Sequence, residues 1–466
     1  MATITFHGAA QEVTGSCYEL ESPGTGRILL DCGMHQGGDA VERIRDEKFE
    51  FDPASIAHVL LSHAHLDHCG LLPKLYREGF RGTVMCTQAT VELLDVMLND
   101  SVGLYLRDLE RTNLSNARRG KPALEPDYTK EDVEGILKLC RGFAYNEKVA
   151  LEQGALVQFH DAGHILGSAI IEITLTEKGE EKTLVFSGDL GKHDSVLMNE
   201  PSRPGNANVL LVESTYGDRE HRDEVDTRLQ LRDVLRATWR RGGNVLIPAF
   251  AVGRTQDILF HLGCLHHEGE LDAWEFFLDS PMAIAITQIY DRWLDSMNGD
   301  VRALSEEHRS SLVDFLPRLN LALETEESMA INRIRSGAII IAGSGMCTGG
   351  RIRHHLKQRI WDDRNTLIFT GFQARGTLGR ILVDGAPRIK LFGEQYVVKS
   401  GIETLGGLSA HAGQTGLVEW IGSFRPAPRT FLVHGEPRAQ DALAQRLWNE
   451  LELRTEIPAS GQSAVF

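Results

Sequence analysis

The stretch "HVLLSHAHLDHCG", residues 58–70, sets His63, His65, Asp67 and His68 close together behind a short apolar run, with His58 ahead of it. The run reads as a buried strand, because continuous apolar residues bounded by polar turn signals suit a strand covered on both faces. Ligand residues at i and i+2 on an extended loop point the same way, and two imidazoles with a third donor make a zinc site. His63 and His65 meet that spacing. Asp67 and His68 fall at the start of "HCGLLPKLYREG", which reads as a helix, and so face another direction. A lone histidine here would be an ordinary loop or core residue. Four donors offered two ways fit a centre for two metal ions.

The rest of the chain bounds what such a centre can serve. At 466 residues it exceeds one ordinary core and suits two domains, or one domain interrupted by another. With 42% hydrophobic and 24% charged residues and no biased tract, it reads as globular rather than disordered. The N-terminal "MATITFHGAAQEVTGS" has neither a basic segment nor an apolar core, so no secretory leader is expected. No apolar run approaches the ~18–20 residues that span a bilayer, so no membrane partner is expected. The seven cysteines are scattered without a C-x-x-C, which fits a reducing, cytoplasmic location. A net charge of −16 disfavours loose nucleic-acid binding but leaves room for a local basic cleft.

Along residues 1–215, strand-like runs such as "RILLDCG", "GALVQFHDAGH" and "KTLVFSGD" end near Gly, Asp or His, with helical pieces between them, a mixed α/β pattern. From 216 to 382 the grain changes to longer βα alternation, with buried-strand runs such as "NVLIPAF" and "GAIIIAGSGMCTGG" that suit a parallel sheet. Residues 383–466 return to strand–helix units. The expected organisation is a first domain over 1–215, an inserted domain over 216–382, and completion of the first over 383–466.

The motif H-x-H-x-D-H after a strand resembles the metallo-β-lactamase superfamily, an αββα sandwich. "LLDCG" supplies Asp31, similar to the carboxylate that steadies the family's ligand loop. "DAGHILGS" supplies His164, similar to its third-motif ligand, and "FSGDLG" supplies Asp189, similar to its metal-bridging carboxylate. "LVESTYGDR", "PAFAVGRTQDIL", "FLDSPMA", "GSGMCTGGRIRHHL", "GFQARGTLGR", "LSAHAGQ" and "LVHGE" then follow in the order seen in the β-CASP nucleases, including the mRNA 3′-end cleavage endonuclease and its short prokaryotic relatives. The resemblance covers nearly the whole chain and maps Glu213, His411 and His434 to that branch's motifs A, B and C. A histidine at motif C resembles the RNA-acting members, where DNA-acting ones commonly carry Val. Gly413 departs from the pattern, since an Asp often follows the motif B histidine.

The resemblance implies two zinc ions, one held by His63, His65 and His164, the other by Asp67, His68 and His434, with Asp189 shared. Ligand type alone also admits manganese. It further implies hydrolysis of single-stranded RNA, within the chain or from its 5′ end, with His411 as general acid and Glu213 as its hydrogen-bond partner. It leaves a homodimer open. The nearest alternative is a DNA nuclease of the same branch. A hydrolase of a small thioester or lactam would share the centre but has no use for an inserted domain of this size, and a non-catalytic RNA scaffold would not keep every ligand.

The segment "AIIIAGSGMCTGGRIRHHLK" reads strand, glycine loop, helix, but its glycine spacing is not G-x-G-x-x-G and no G-K-[ST] follows, so neither a dinucleotide fold nor a P-loop is expected. Glycines still let backbone N–H groups approach phosphate. Ser344, Gly345, Gly349, Gly350, Arg351, Arg353, Arg375, Arg380 and Arg254 are therefore the expected RNA-contacting residues, one basic strip on an acidic protein. An ordinary solvated helix face is the competing reading of those arginines.

Overall fold

The computed structural model describes all residues except 24, 37–39, 152–153, 178, 299–310 and 372. The chain divides into two compact units, one of residues 1–193, 199–220 and 411–466, the other of residues 194–198 and 221–410.

Among its described residues the first unit holds two seven-stranded sheets. In the first, β1 (Thr3–Gly8), β2 (Cys17–Ser22) and β3 (Gly26–Leu30) are antiparallel, and β3, β4 (Ile56–Leu60), β5 (Thr83–Thr87) and β6 (Cys140–Phe143) run parallel. The strand Ser463–Val465 closes the sheet beside β1. In the second, β7 (Val149–Leu151), β8 (Ala155–Asp161), β9 (Ala169–Glu177) and β10 (Glu180–Phe186) form an antiparallel meander. Beyond it β11 (Val209–Glu213) and the strand Arg429–Val433 continue in parallel. Phe6, Tyr18 and Leu30 of one sheet pack with Phe159, Phe186 and Phe431 of the other in a single apolar layer. Helices cover the outer faces. Helix Gln88–Arg118 buries Ala89, Leu93, Leu94, Met97, Leu98, Val102 and Tyr105, the three-and-four spacing of one helical face, and opens on Thr87, whose side chain accepts from the N–H of Thr90. The arrangement is the expected αββα sandwich.

The second unit is built on one parallel sheet. Its strands are β12 (Val245–Pro248), β13 (Glu275–Asp279), β14 (Leu319–Leu321), β15 (Ala338–Ala342) and β16 (Thr366–Phe369), followed by the hairpin β17 (Arg388–Leu391) and β18 (Glu394–Val397) and by β19 (Gly401–Thr404). The sheet order is β14-β13-β15-β12-β16-β19. β12, β15 and β16 are wholly buried and read as continuous apolar runs, as strands covered on both faces should.

Residues 383–410 pack with the second compact unit. β19 pairs with β16 from Thr366↔Gly401 to Phe369↔Thr404, and Ile389 and Leu391 join Ile340 and Leu367 in one core, so this stretch belongs to the second unit. Its strand-like sequence matches either domain equally well; only the ladder partner distinguishes them.

Candidate metal centre

The centre is assembled from loops at strand ends. Asp31, just after β3, adopts a left-handed φ of 61°, costly for a side chain with a Cβ unless its surroundings hold it. They do. One carboxylate oxygen accepts the Ser62 N–H at 2.7 Å; the other accepts the Ser62 hydroxyl at 2.9 Å, the Ser16 hydroxyl at 3.1 Å and His68 Nδ1–H at 2.7 Å. The last bond leaves Nε2 of His68 as the nitrogen with a lone pair for the centre. Gly33 permits the return of the ligand loop, because a Cβ there would lie 1.7 Å from the Asp67 carbonyl oxygen.

Donor atoms of His63, His65, His164 and Asp189 lie within 4.8 Å of one another, and so do those of Asp67, His68 and His434. Nε2 of His63 and Nε2 of His164 stand 3.0 and 3.2 Å from Nδ1 of His65. Asp189 Oδ2 is 3.5, 3.4 and 3.6 Å from Nε2 of His63, His68 and His164, while its Oδ1 is 3.6 Å from Nδ1 of His434. Ligands of a tetrahedral zinc at ~2.0–2.1 Å sit about 3.3–3.4 Å apart, so these spacings are those of atoms converging on a cation. Nε2 of His68, Nε2 of His434 and Oδ1 of Asp189 are buried without a hydrogen-bond partner. Buried polar atoms are ordinarily satisfied, so these orphans mark the place of an ion. Asp67 is 3.8 Å from His434.

Protonation agrees. Burial pushes His63 and His164 well below the ordinary imidazole value and His65 down to about 4, which keeps all three neutral, as ligands must be. Burial acts against ionised Asp189, but His68, His434 and His411 outweigh it and hold the carboxyl well below its usual range. The donor set therefore fits a zinc-type ion.

Glu213 ends β11 fully buried, and its Oε1 accepts the Leu190 N–H at 2.6 Å. Both Glu213 oxygens lie 3.2 Å from Nδ1 of His411. His411 retains 21% side-chain exposure where Asp189 has 2%, so it alone of this pair reaches the open side of the centre. Burial lowers its basicity, but Glu213 and Asp189 raise it to about 9.

Gly413 finds its explanation beside His411. It is the N-cap of helix Gln414–Ile421, a position where Asp normally accepts from the first turn. Here Glu220 supplies that acceptor from outside, taking the Thr415 N–H at 2.9 Å and its hydroxyl at 2.6 Å. A Cβ at 413 would come 2.6 Å from Oε2 of Glu220. The loop support thus moves from one residue to another.

The residues expected to meet RNA fare unevenly. The Arg351 guanidinium donates to Asp279 at 2.7 Å and to the carbonyls of Ala322 and Leu323 at 2.8 and 2.7 Å. Asp279 also accepts from His355 and Ser328, both at 2.6 Å, so Arg351 belongs to a network that ties helices to β13. Arg353 lies over the Phe392 ring at 5.0 Å, Arg380 pairs with Asp384 at 2.9 Å, and Arg254 donates to the Thr370 carbonyl. Ser344 accepts the N–H groups of Thr348 and Gly349, and so shapes the loop that carries Gly345 and Gly350. Arg375 is exposed. Three supporting residues escaped sequence reading: Ser16 and Ser62 under Asp31, and Thr215, whose hydroxyl is 3.1 Å from Nδ1 of His434. Only the adjacency of Ser62 to the first ligand signalled any of them.

Comparison with known proteins agrees with this architecture. Residues 10–238 match the metallo-β-lactamase superfamily, residues 255–382 the Beta-Casp domain, and residues 395–458 the Zn-dependent metallo-hydrolase RNA specificity domain. A ribonuclease of Thermus thermophilus is 41% identical over 442 residues, 94% of each chain. An RNase J-like protein of Methanocaldococcus jannaschii is 29% identical over 99% of each chain, and the transcription termination factor FttA of that organism is 31% identical over 93% of this chain and 67% of its own. A protein of unknown function from Enterococcus faecalis shares the fold over the full length of both chains, with a TM-score of 0.55 at 13% identity. Among the described residues no helix is long and apolar enough to cross a membrane. The chain belongs to the metallo-β-lactamase superfamily, in its β-CASP branch, and is a metal-dependent hydrolase of that family.

Proposed function

We propose that the protein is a ribonuclease that hydrolyses phosphodiester bonds of single-stranded RNA at a centre for two zinc ions. His63, His65 and His164 would hold one ion, Asp67, His68 and His434 the other, and Asp189 would serve both. The observation that carries the reading is the convergence of these buried donors with unmatched atoms on His68, His434 and Asp189. The match to an RNA specificity domain over residues 395–458 and the likeness to a ribonuclease favour RNA as the polymer. Zinc, when bound, lowers the pKa of water toward neutrality and draws off the charge that builds on the phosphoryl group.

The chain's own residues do the rest. Asp31 keeps His68 turned to the centre through its 2.7 Å bond to Nδ1. Glu213 keeps His411 protonated, so that His411 delivers a proton to the departing ribose oxygen from Nε2. Ser344, Gly345, Gly349 and Gly350, with Arg254, Arg351, Arg353, Arg375 and Arg380, are proposed to contact the strand.

The test is metal analysis of purified protein together with digestion of end-labelled RNA and a matched DNA strand. About two zinc ions per chain and a ladder from RNA alone are expected, and the ladder's pattern distinguishes internal cuts from degradation at the 5′ end. Equal cleavage of DNA would move the protein to the DNA-acting members. Stoichiometric RNA binding without cleavage in zinc-replete buffer would make it a scaffold.

A further inference from the structure

Phe250 follows β12 and is 42% exposed, although it neighbours a strand whose residues are all buried. Its backbone is held firmly: Ala249 N–H donates to the Ala342 carbonyl at 3.1 Å, and the Phe250 carbonyl accepts the Thr255 hydroxyl at 2.7 Å. The ring edge lies against Gly345, where a Cβ would come 2.9 Å from Cδ2, so the glycine loop leaves the space the phenyl occupies. An exposed phenyl backed at its edge by the glycine loop offers a flat, apolar face.

The topology explains the location. From β12 the chain leaves toward β13 on one side of the sheet; from the neighbouring β15 it crosses β12 to reach β16 on the other. Connections that part in this way open a crevice at the carboxyl ends of the two strands, the usual ligand position in an open parallel sheet. Phe250 follows β12 and Gly345 follows β15, at the carboxyl ends of these two neighbouring strands. The neighbouring loops carry open backbone and charge. Cβ atoms added at Gly349 and Gly371 would meet nothing within 4 Å, and Arg375 is exposed. A ring on a surface that also carries open backbone and a guanidinium suits a nucleobase flanked by phosphates.

We propose that Phe250 is a stacking platform for one base of the RNA strand, seated by Gly345. It takes any base, because every base has a π face, and so adds affinity without sequence preference. The inference rests on the ribonuclease reading. Its test compares wild-type and Phe250→Ala holoenzyme on short oligoribonucleotides, each carrying one abasic ribose at a different position. Phe250→Ala should raise KM for intact RNA about tenfold, with kcat changed far less. At one position the abasic substrate should cost the wild type the same factor and cost the variant nothing further. Phe250→Trp should keep KM near wild type. Gly345→Ala, which displaces the ring, should reproduce the loss and carries the test if Phe250→Ala fails to fold. A KM within twofold of wild type for both Ala variants, or abasic losses that add independently at every position, overturns the platform and leaves the ribonuclease intact. A wild type that cleaves no RNA overturns both.

Discussion

His411 can deliver a proton at neutral pH only if it carries one. Burial works against the imidazolium, and Glu213 and Asp189 overcome it, raising the group to about 9. The acid form is the one present below that value, so the rate should fall as pH rises through about 9. Glu213 is the largest contribution favouring the charge. Glu213→Gln should therefore shift the alkaline limb of the kcat profile down toward the ordinary imidazole value of about 6.5. His411→Ala should lose about 10²–10⁴-fold in rate while zinc content stays at the wild-type level. Metal analysis of the variant decides the assignment: lost zinc makes His411 a ligand, and full activity removes it from the chemistry.

At the scale of elements, helix Gln414–Ile421 starts on Gly413 and borrows its cap from Glu220, which Arg446 also holds at 3.3 Å. Gly413→Asp alone would force two carboxylates into one place, and overpacking of this kind typically costs ~1–3 kcal/mol. Glu220→Ala alone would strip the first turn of its acceptor, about 1 kcal/mol. The two together should recover most of the loss, since the carboxylate introduced at position 413 then caps its own helix. Thermal melts of the three variants check this, and additive losses would show that the residues do not share one role. Strands and helices of this chain could be read from apolar runs and periodicity because each is a local pattern, and the histidine motif was legible for the same reason. Glu220 was not, because its partner lies far along the chain and nothing in "YGDREHR" marks a cap. The partner of Arg351 was equally hidden, because the buried Asp279 that it pairs with comes from a distant strand.

For the whole molecule, composition does not say which sheet β19 joins, because its pairing with β16 is settled by tertiary contact. Nor could spacing alone bring His164, Asp189 and His434 to the motif at 63–68; those donors come from separate segments of one unit and meet only when the sandwich closes. That dependence makes the metal part of the stability of the fold. In the metal-free protein Nε2 of His68, Nε2 of His434 and Oδ1 of Asp189 are buried without a hydrogen-bond partner, and each such group costs ~1–3 kcal/mol. An ion that binds only the folded state relieves them and adds about 2.7 kcal/mol when free zinc is a hundredfold above its Kd. Calorimetry should therefore show Tm climbing with zinc, by on the order of 5 °C at that excess. Asp189→Ala, which removes the carboxylate touching both donor groups, should abolish most of the climb, whereas His411→Ala should preserve it. A chelated wild type that melts with the zinc-loaded protein would mean that these side chains hold no ion tightly enough to matter, and the hydrolase chemistry built on them would have to be given up.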